Sequence, residues 1–260
     1  MKKFPNVGCY SYVAEPFHCD FSKRLFIGHL GNHMLNAADY HSSDRGYGMH
    51  FLNSINRTWV LSRLVIEMDE LPSMYDKFNV ETWVDGVIRS FTSRNFKVVG
   101  ADGRVFGYGK SIWAMIDTES RQPTEIQKVS NGIIMDYIET DYPCPIEKSS
   151  RIKIGATAPL VASIDTHYCD VDINGHINSV KYIEHVLDIW DVEWYRKHHV
   201  RRFEIAYIAE AHQGDQLKFY REKLANSDQK EYCVRITKCN SDGESEICRS
   251  KIFFRDFFPV

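Results

Sequence analysis

The chain has no long run of apolar residues, and no stretch is long enough to span a bilayer. The two lysines near its start, in Met-Lys-Lys-Phe-Pro-Asn-Val-Gly, are not followed by an apolar run, and Glu15 and Pro16 would interrupt one, so no secretory signal is read. Charge of one sign is also missing. A formal net charge of −3 over 260 residues predicts no general affinity for nucleic acid or anionic membranes. The seven cysteines, Cys9, Cys19, Cys144, Cys169, Cys233, Cys239 and Cys248, form no CxxC pair and no metal-ligand spacing. Their odd number points to free thiols in a reducing compartment. A cytoplasmic, soluble protein without a cofactor or metal is therefore expected.

What is present is alternation. Arg57 to Asp69, Lys77 to Val87, Ser93 to Val99 and Arg104 to Ile116 alternate apolar and polar residues and are rich in β-branched and aromatic types. Phe203 to Ala209, Gln216 to Lys223, Glu231 to Lys238 and Ser245 to Phe254 repeat the pattern. Asp102-Gly103 and Asp242-Gly243 supply a hairpin turn in each set. Laying Arg63 on Arg202 puts Leu64 on Phe203, Ile66 on Ile205 and Asp76 on Asp215. A one-residue slip then puts Ile112 on Ile252 and Trp113 on Phe253.

A helix is predicted before each meander. From Ile177 to His199, apolar residues at Val180, Ile183, Val186, Leu187, Trp190 and Trp194 recur at helical steps, with Asn178 or Ser179 as cap. Asn32 to Arg45 is the weaker counterpart. The connector, roughly 119–151, holds Pro123, Pro143 and Pro145, with a short helix after Ser130. The fold class is α+β, with an N-terminal lobe over 1–148 and a C-terminal lobe over 149–260.

The stretch Asp170-Val-Asp-Ile-Asn-Gly-His-Ile-Asn-Ser179 carries the chemistry. Its start mimics a calcium loop, with Gly175 at position six. Position twelve is Lys181, a positive charge where the cation needs two oxygens. If the stretch is extended, Asp172, Asn174 and His176 share one face. The bland alternative is a turn, because Asn and Gly accept left-handed backbone angles. Asp170 reads as a structural acceptor and Asn178 as a cap.

The run from Asp170 to Ile183, together with Trp59 to Asp69, Glu81-Thr82-Trp83-Val84 and Trp113 to Asp117 followed by Arg121, resembles the acyl-acyl carrier protein thioesterases. The resemblance covers about Phe21 to the C-terminus. It implies a tandem (double) hotdog fold, each lobe a long helix wrapped by an antiparallel sheet, and the first lobe linked to chain-length choice. It implies hydrolysis of fatty acyl-acyl carrier protein in fatty acid biosynthesis, with acyl carrier protein as partner. It carries a catalytic set over to Asp172, Asn174, His176 and, on the following strand, Glu210. Where the family often has Cys after that Glu, this chain has Ala211, which leaves activated water rather than a thiol as nucleophile. Either Glu210 or His176 serves as general base, Asn174 orients the thioester or its oxyanion, and Asp172 positions its neighbours.

The basic run Lys197, Arg201 and Arg202 is one expected docking surface for an acidic carrier, and Lys148, Arg151 and Lys153 another. The rival readings are an acyl-coenzyme A thioesterase, a hotdog dehydratase and a non-catalytic acyl-carrier binding protein. The oligomeric state is left open between monomer and homodimer.

Overall fold

The computed structural model describes residues 4–224, 230–241 and 243–256. The chain divides into two units, Met1–Lys148 and Ser149–Val260. In the first, β1 (Gly8–Val13) leads through a 3₁₀ turn to helix α1 (Ile27–Asp44) and a short α2 (Met49–Asn53). The strands β2 (Arg57–Met68), β3 (Lys77–Ile88), β4 (Phe91–Gly100) and β5 (Val105–Asp117) follow. They form an antiparallel sheet in the order β2-β5-β4-β3-β1. The second unit runs β6 (Leu160–Asp165), a 3₁₀ turn, α3 (Ser179–Leu187), α4 (Val192–Tyr195), then β7 (His198–Tyr207), β8 (Gln216–Lys223), β9 (Lys230–Asn240) and β10 (Gly243–Asp256). Its order is β7-β10-β9-β8-β6, the same topology strand for strand.

Each helix buries one face. Leu30, Met34, Ala37 and Ala38 of α1 are buried, as are Phe78, Val80, Phe96 and Val98 of the first sheet. Gly109 on β5 lets α1 approach: a Cβ there would sit 3.2 Å from Met34 Cε and 3.0 Å from the Val65 carbonyl. In the second unit Val180, Ile183, Val186 and Leu187 of α3 are buried, with Phe203, Ile205, Phe219, Val234 and Ile252 buried on the strands. Each of these side chains larger than alanine is worth roughly 1.5–3 kcal/mol of burial.

Two expectations about the elements themselves need correction. The helix expected over Ile177 to His199 stops at Leu187. Asp191 accepts a hydrogen bond from the Trp194 N–H at 2.8 Å and starts the separate α4, and His198 already belongs to β7. Trp190 and Trp194 pack with Tyr232 and Phe254, so their apolar spacing reflects this packing and not a continuation of α3. Among the described residues the long helix therefore exists only in the first lobe, where α1 begins five residues before the expected Asn32.

The slip between the two meanders is two residues. Arg63 faces Ile112 and Arg202 faces Phe253, so Ile112 corresponds to Phe253 and not to Ile252. The extra residue lies between the turn glycine and the following bulge, Gly103 to Phe106 against Gly243 to Ile247. A one-residue error in register inverts every side chain, so this places the apolar faces. Asp242 of the second expected turn lies outside the described residues. The connector helix after Ser130 is 3₁₀ and kinked, with Asn131 and Gly132 at positive φ.

Candidate active site

The third correction concerns the motif itself. It is a turn, not an extended segment. The Asp172 N–H donates to the His176 carbonyl (2.8 Å) and the Gly175 N–H to the Asp172 carbonyl (3.1 Å). Gly175 sits at φ +82°, a left-handed angle that glycine adopts without Cβ strain. Asp172 Oδ1 accepts from the Asn174 N–H (2.8 Å) and the His176 N–H (3.2 Å), closing the turn from inside. Asn174 is exposed at the tip, its Nδ2 3.5 Å from Asp172 Oδ2. Asp172, Asn174 and His176 are thus clustered by a turn instead of by strand alternation.

The stem is pinned on both sides. The Ile177 N–H donates to the Ala211 carbonyl at 2.8 Å, and the Asn178 N–H to the Asp170 carbonyl at 2.8 Å. Asn178 Oδ1 accepts from the Val180 N–H and caps α3. Asp170 is a buried acceptor, as expected: its Oδ2 takes the His167 N–H at 2.8 Å and its Oδ1 lies 3.2 Å from His185 Nε2 on α3.

Glu210 lies just past the end of β7, not on the strand as expected. The N–H groups of Ile208 and Ala209 both donate to the Ile247 carbonyl, which ends the strand and turns the chain. That turn brings Glu210 Oε2 to 3.4 Å from His176 Nε2, with both side chains partly open to solvent. A carboxylate beside an imidazole, reachable by water, can remove a proton from that water. Ala211 is buried, and its methyl offers no nucleophile.

Two neighbours were not legible in the sequence. His212 packs edge-on to His176, ring centroids 5.0 Å apart at 82°. Lys238 donates from Nζ to the Glu210 carbonyl at 2.8 Å, fixing the backbone that carries the carboxylate. Of the expected docking residues, Lys197 is exposed and Arg201 is half-buried at a bulge of the β7–β10 pair. Arg202 donates from Nε to Glu204 Oε1 at 2.8 Å, so its charge is matched within the fold. Arg151 and Lys153 are exposed.

Two like-built α+β lobes, the second bearing an imidazole–carboxylate pair at the start of its helix, define a double-hotdog protein with one candidate hydrolytic centre. The family models of the acyl-ACP thioesterase N-terminal domain and C-terminal domain match residues 10–133 and 156–256. The chain belongs to the acyl-ACP thioesterase family. An acyl-ACP thioesterase of known structure from Bacteroides thetaiotaomicron is 50% identical over 96% of this chain and 98% of that one, with a TM-score of 0.88. The 12:0-ACP thioesterase of Umbellularia californica, at 18% identity, shares the fold over 99% of this chain and 100% of that one with a TM-score of 0.83. The chloroplastic palmitoyl-acyl carrier protein thioesterase of Arabidopsis thaliana is 30% identical over 51% of this chain and 33% of its own length. The chain spans between 32% and 61% of the length of this and other curated plant relatives.

Proposed function

We propose that the protein hydrolyses the thioester of a fatty acyl-acyl carrier protein, releasing the free fatty acid and the carrier thiol. The observation that carries this reading is the 3.4 Å approach of His176 Nε2 to Glu210 Oε2. The 50% identity to the Bacteroides thetaiotaomicron protein supports the same substrate class. Water gives a proton to the pair as its oxygen bonds the acyl carbon. The tetrahedral oxyanion collapses, the C–S bond breaks, and the sulfur leaves with a proton returned through the pair. Glu210 as base with His176 as shuttle, and His176 as base oriented by Glu210, give the same balance of atoms.

Asn174 Nδ2 is the donor offered to the oxyanion, and Asp172 acts through the turn it closes. Ala211 excludes an acyl-enzyme at its position. Lys197 and Arg201 are the docking cations for an acidic carrier, with Arg202 held to Glu204.

Thiol release measured across acyl carrier proteins and acyl-coenzyme A esters of increasing chain length tests the reading. Faster turnover on the carrier protein, falling steeply with added salt, is expected. Faster turnover on coenzyme A esters would assign the rival substrate, and tight carrier binding without thiol release would assign a binding protein.

A further inference from the structure

The turn before α1 is built like the one before α3. The Phe26 N–H donates to the His18 carbonyl as the Asn178 N–H donates to the Asp170 carbonyl, and Cys19 bridges Leu25 as Val171 bridges Ile177. His18 therefore holds the place of Asp170, Glu15 that of His167, and His33 on α1 that of His185 on α3. In the second lobe a buried carboxylate faces the helix imidazole, Asp170 Oδ1 to His185 Nε2 at 3.2 Å. In the first lobe that carboxylate is replaced by a second imidazole.

The consequence is a cluster with a donor left over. His33 Nε2 is buried and has no hydrogen-bond partner among the described residues. One ligating atom from each of Glu15, His18 and His33 lies within 4.8 Å of the other two. His18 Nδ1 is 3.1 Å from Glu15 Oε2, an i,i+3 contact on a half-exposed surface that by itself adds little to stability. The rings are held by packing: His33 lies 4.4 Å from the Tyr12 ring and 5.7 Å from Phe78, and His29 stacks on His18 at 4.2 Å. Two imidazole nitrogens and a carboxylate oxygen form the donor set that suits zinc and its first-row neighbours.

We propose that Glu15, His18 and His33 form a binding site for a divalent first-row transition metal, zinc foremost, with three protein ligands and one open position. The ion would tie the 3₁₀ turn Pro16–His18 to helix α1. The site belongs to the first lobe and stands whether or not the thioesterase reading holds.

The test uses the full chain, stripped of metal with a chelator and desalted, and titrated with cobalt chloride followed by zinc chloride. One equivalent of cobalt is expected to give visible ligand-field bands, which zinc abolishes. Glu15→Ala and His18→Ala, both at solvent-accessible positions, should each weaken binding at least about 100-fold, since even supporting residues of metal sites cost 10–100-fold. His33→Ala should abolish the bands, and if that variant does not fold the other two decide. His50→Ala, at an exposed histidine of α2, should leave the titration unchanged. No stoichiometric binding, or binding that survives in both Glu15→Ala and His18→Ala, would overturn the proposal.

Discussion

In the first lobe, Asp20 to Arg24 form a turn with three of the hydrogen bonds of Asp172 to His176. The Asp20 N–H donates to the Arg24 carbonyl (2.9 Å), the Lys23 N–H to the Asp20 carbonyl (2.9 Å), and the Ser22 N–H to Asp20 Oδ1 (2.8 Å). The Leu25 N–H reaches the Pro72 carbonyl as that of Ile177 reaches Ala211. The Ser73 N–H donates to Asp76 Oδ2 at 2.8 Å, as that of His212 does to Asp215 Oδ2. Two lobes thus share one backbone scaffold and differ in what hangs from it. Ser22 stands for Asn174, Arg24 for His176 and Leu71 for Glu210. Arg24 Nη1 donates to the Leu71 carbonyl at 3.5 Å, a contact with no acid–base use.

The comparison separates architecture from chemistry. Asp20 accepts the Ser22 N–H as Asp172 accepts that of Asn174, in a turn that carries Arg24 and Leu71 in place of His176 and Glu210, which supports the proposed positioning role of Asp172. His176 and Glu210 have no such structural twin, and the first lobe keeps its turn without them. That supports placing the proposed chemistry on this pair.

The largest effect should come from the pair itself. His176→Ala and Glu210→Ala are each expected to lower kcat/KM for acyl carrier thioesters by about 10²–10⁴-fold. Arg24→Ala and Leu71→Ala, at the matching places of the first lobe, should leave kcat within a few-fold, read by the same thiol-release assay. A large loss of kcat in the first-lobe variants with an intact fold would break the division of labour.

The next contrast is in stability. Asp170→Ala removes a buried acceptor for the His167 N–H and His185 and should cost about 1–3 kcal/mol in urea unfolding. His18→Ala, its half-exposed counterpart, should cost under about 0.5 kcal/mol in metal-free protein.

The longer helix of the first lobe carries a pH dependence of its own. His41 is buried near the end of α1, within 2.9 Å of the Asn6 carbonyl and 3.2 Å of the Tyr47 hydroxyl. Burial, with the neighbouring Arg94 and Arg45 charges adding to it, pushes its pKa down to about 2. A histidine depressed on folding binds its proton in the unfolded chain first. Its stabilising share is full above the unfolded value near 6.5 and is lost as pH falls below it. The slope approaches about 1.4 kcal/mol per pH unit. His41→Gln should remove that slope between about pH 6 and 5, just below the unfolded value.

The smallest contrast is at the turn tips. Gly175→Ala should cost about 1 kcal/mol, since its φ is +82°. Lys23→Gly should gain a few tenths of a kcal/mol, because Lys23 holds φ +61° at the same place. Chemical denaturation resolves both.

Much of this was legible in the sequence because alternation and the Asp-x-Asn-Gly-His run are local signals. The eight meander strands announced themselves by period, and Gln216–Lys223 agrees to the residue. The break after Leu187 was hidden, because Trp190 and Trp194 continue the helical spacing while Asp191 quietly starts a new helix. The edge strand β1, Gly8–Val13, lacks a clean alternation and so carries no local signal. The equivalence of Arg24 with His176 was invisible as well: the residue types differ, and only the hydrogen bonds match. The packing of His212 on His176 and the bond from Lys238 to the Glu210 carbonyl each join residues far apart in the chain, which no local pattern encodes.

The central claim is that Glu210 and His176 together move the proton of the attacking water. The direct measurement is steady-state thiol release from a fatty acyl-acyl carrier protein by Glu210→Gln, which keeps the side-chain shape and removes the carboxylate. A fall in kcat of at least about 100-fold, with KM within a few-fold of the parent, is the predicted result. A Glu210→Gln protein that turns over at near-parental kcat would contradict it.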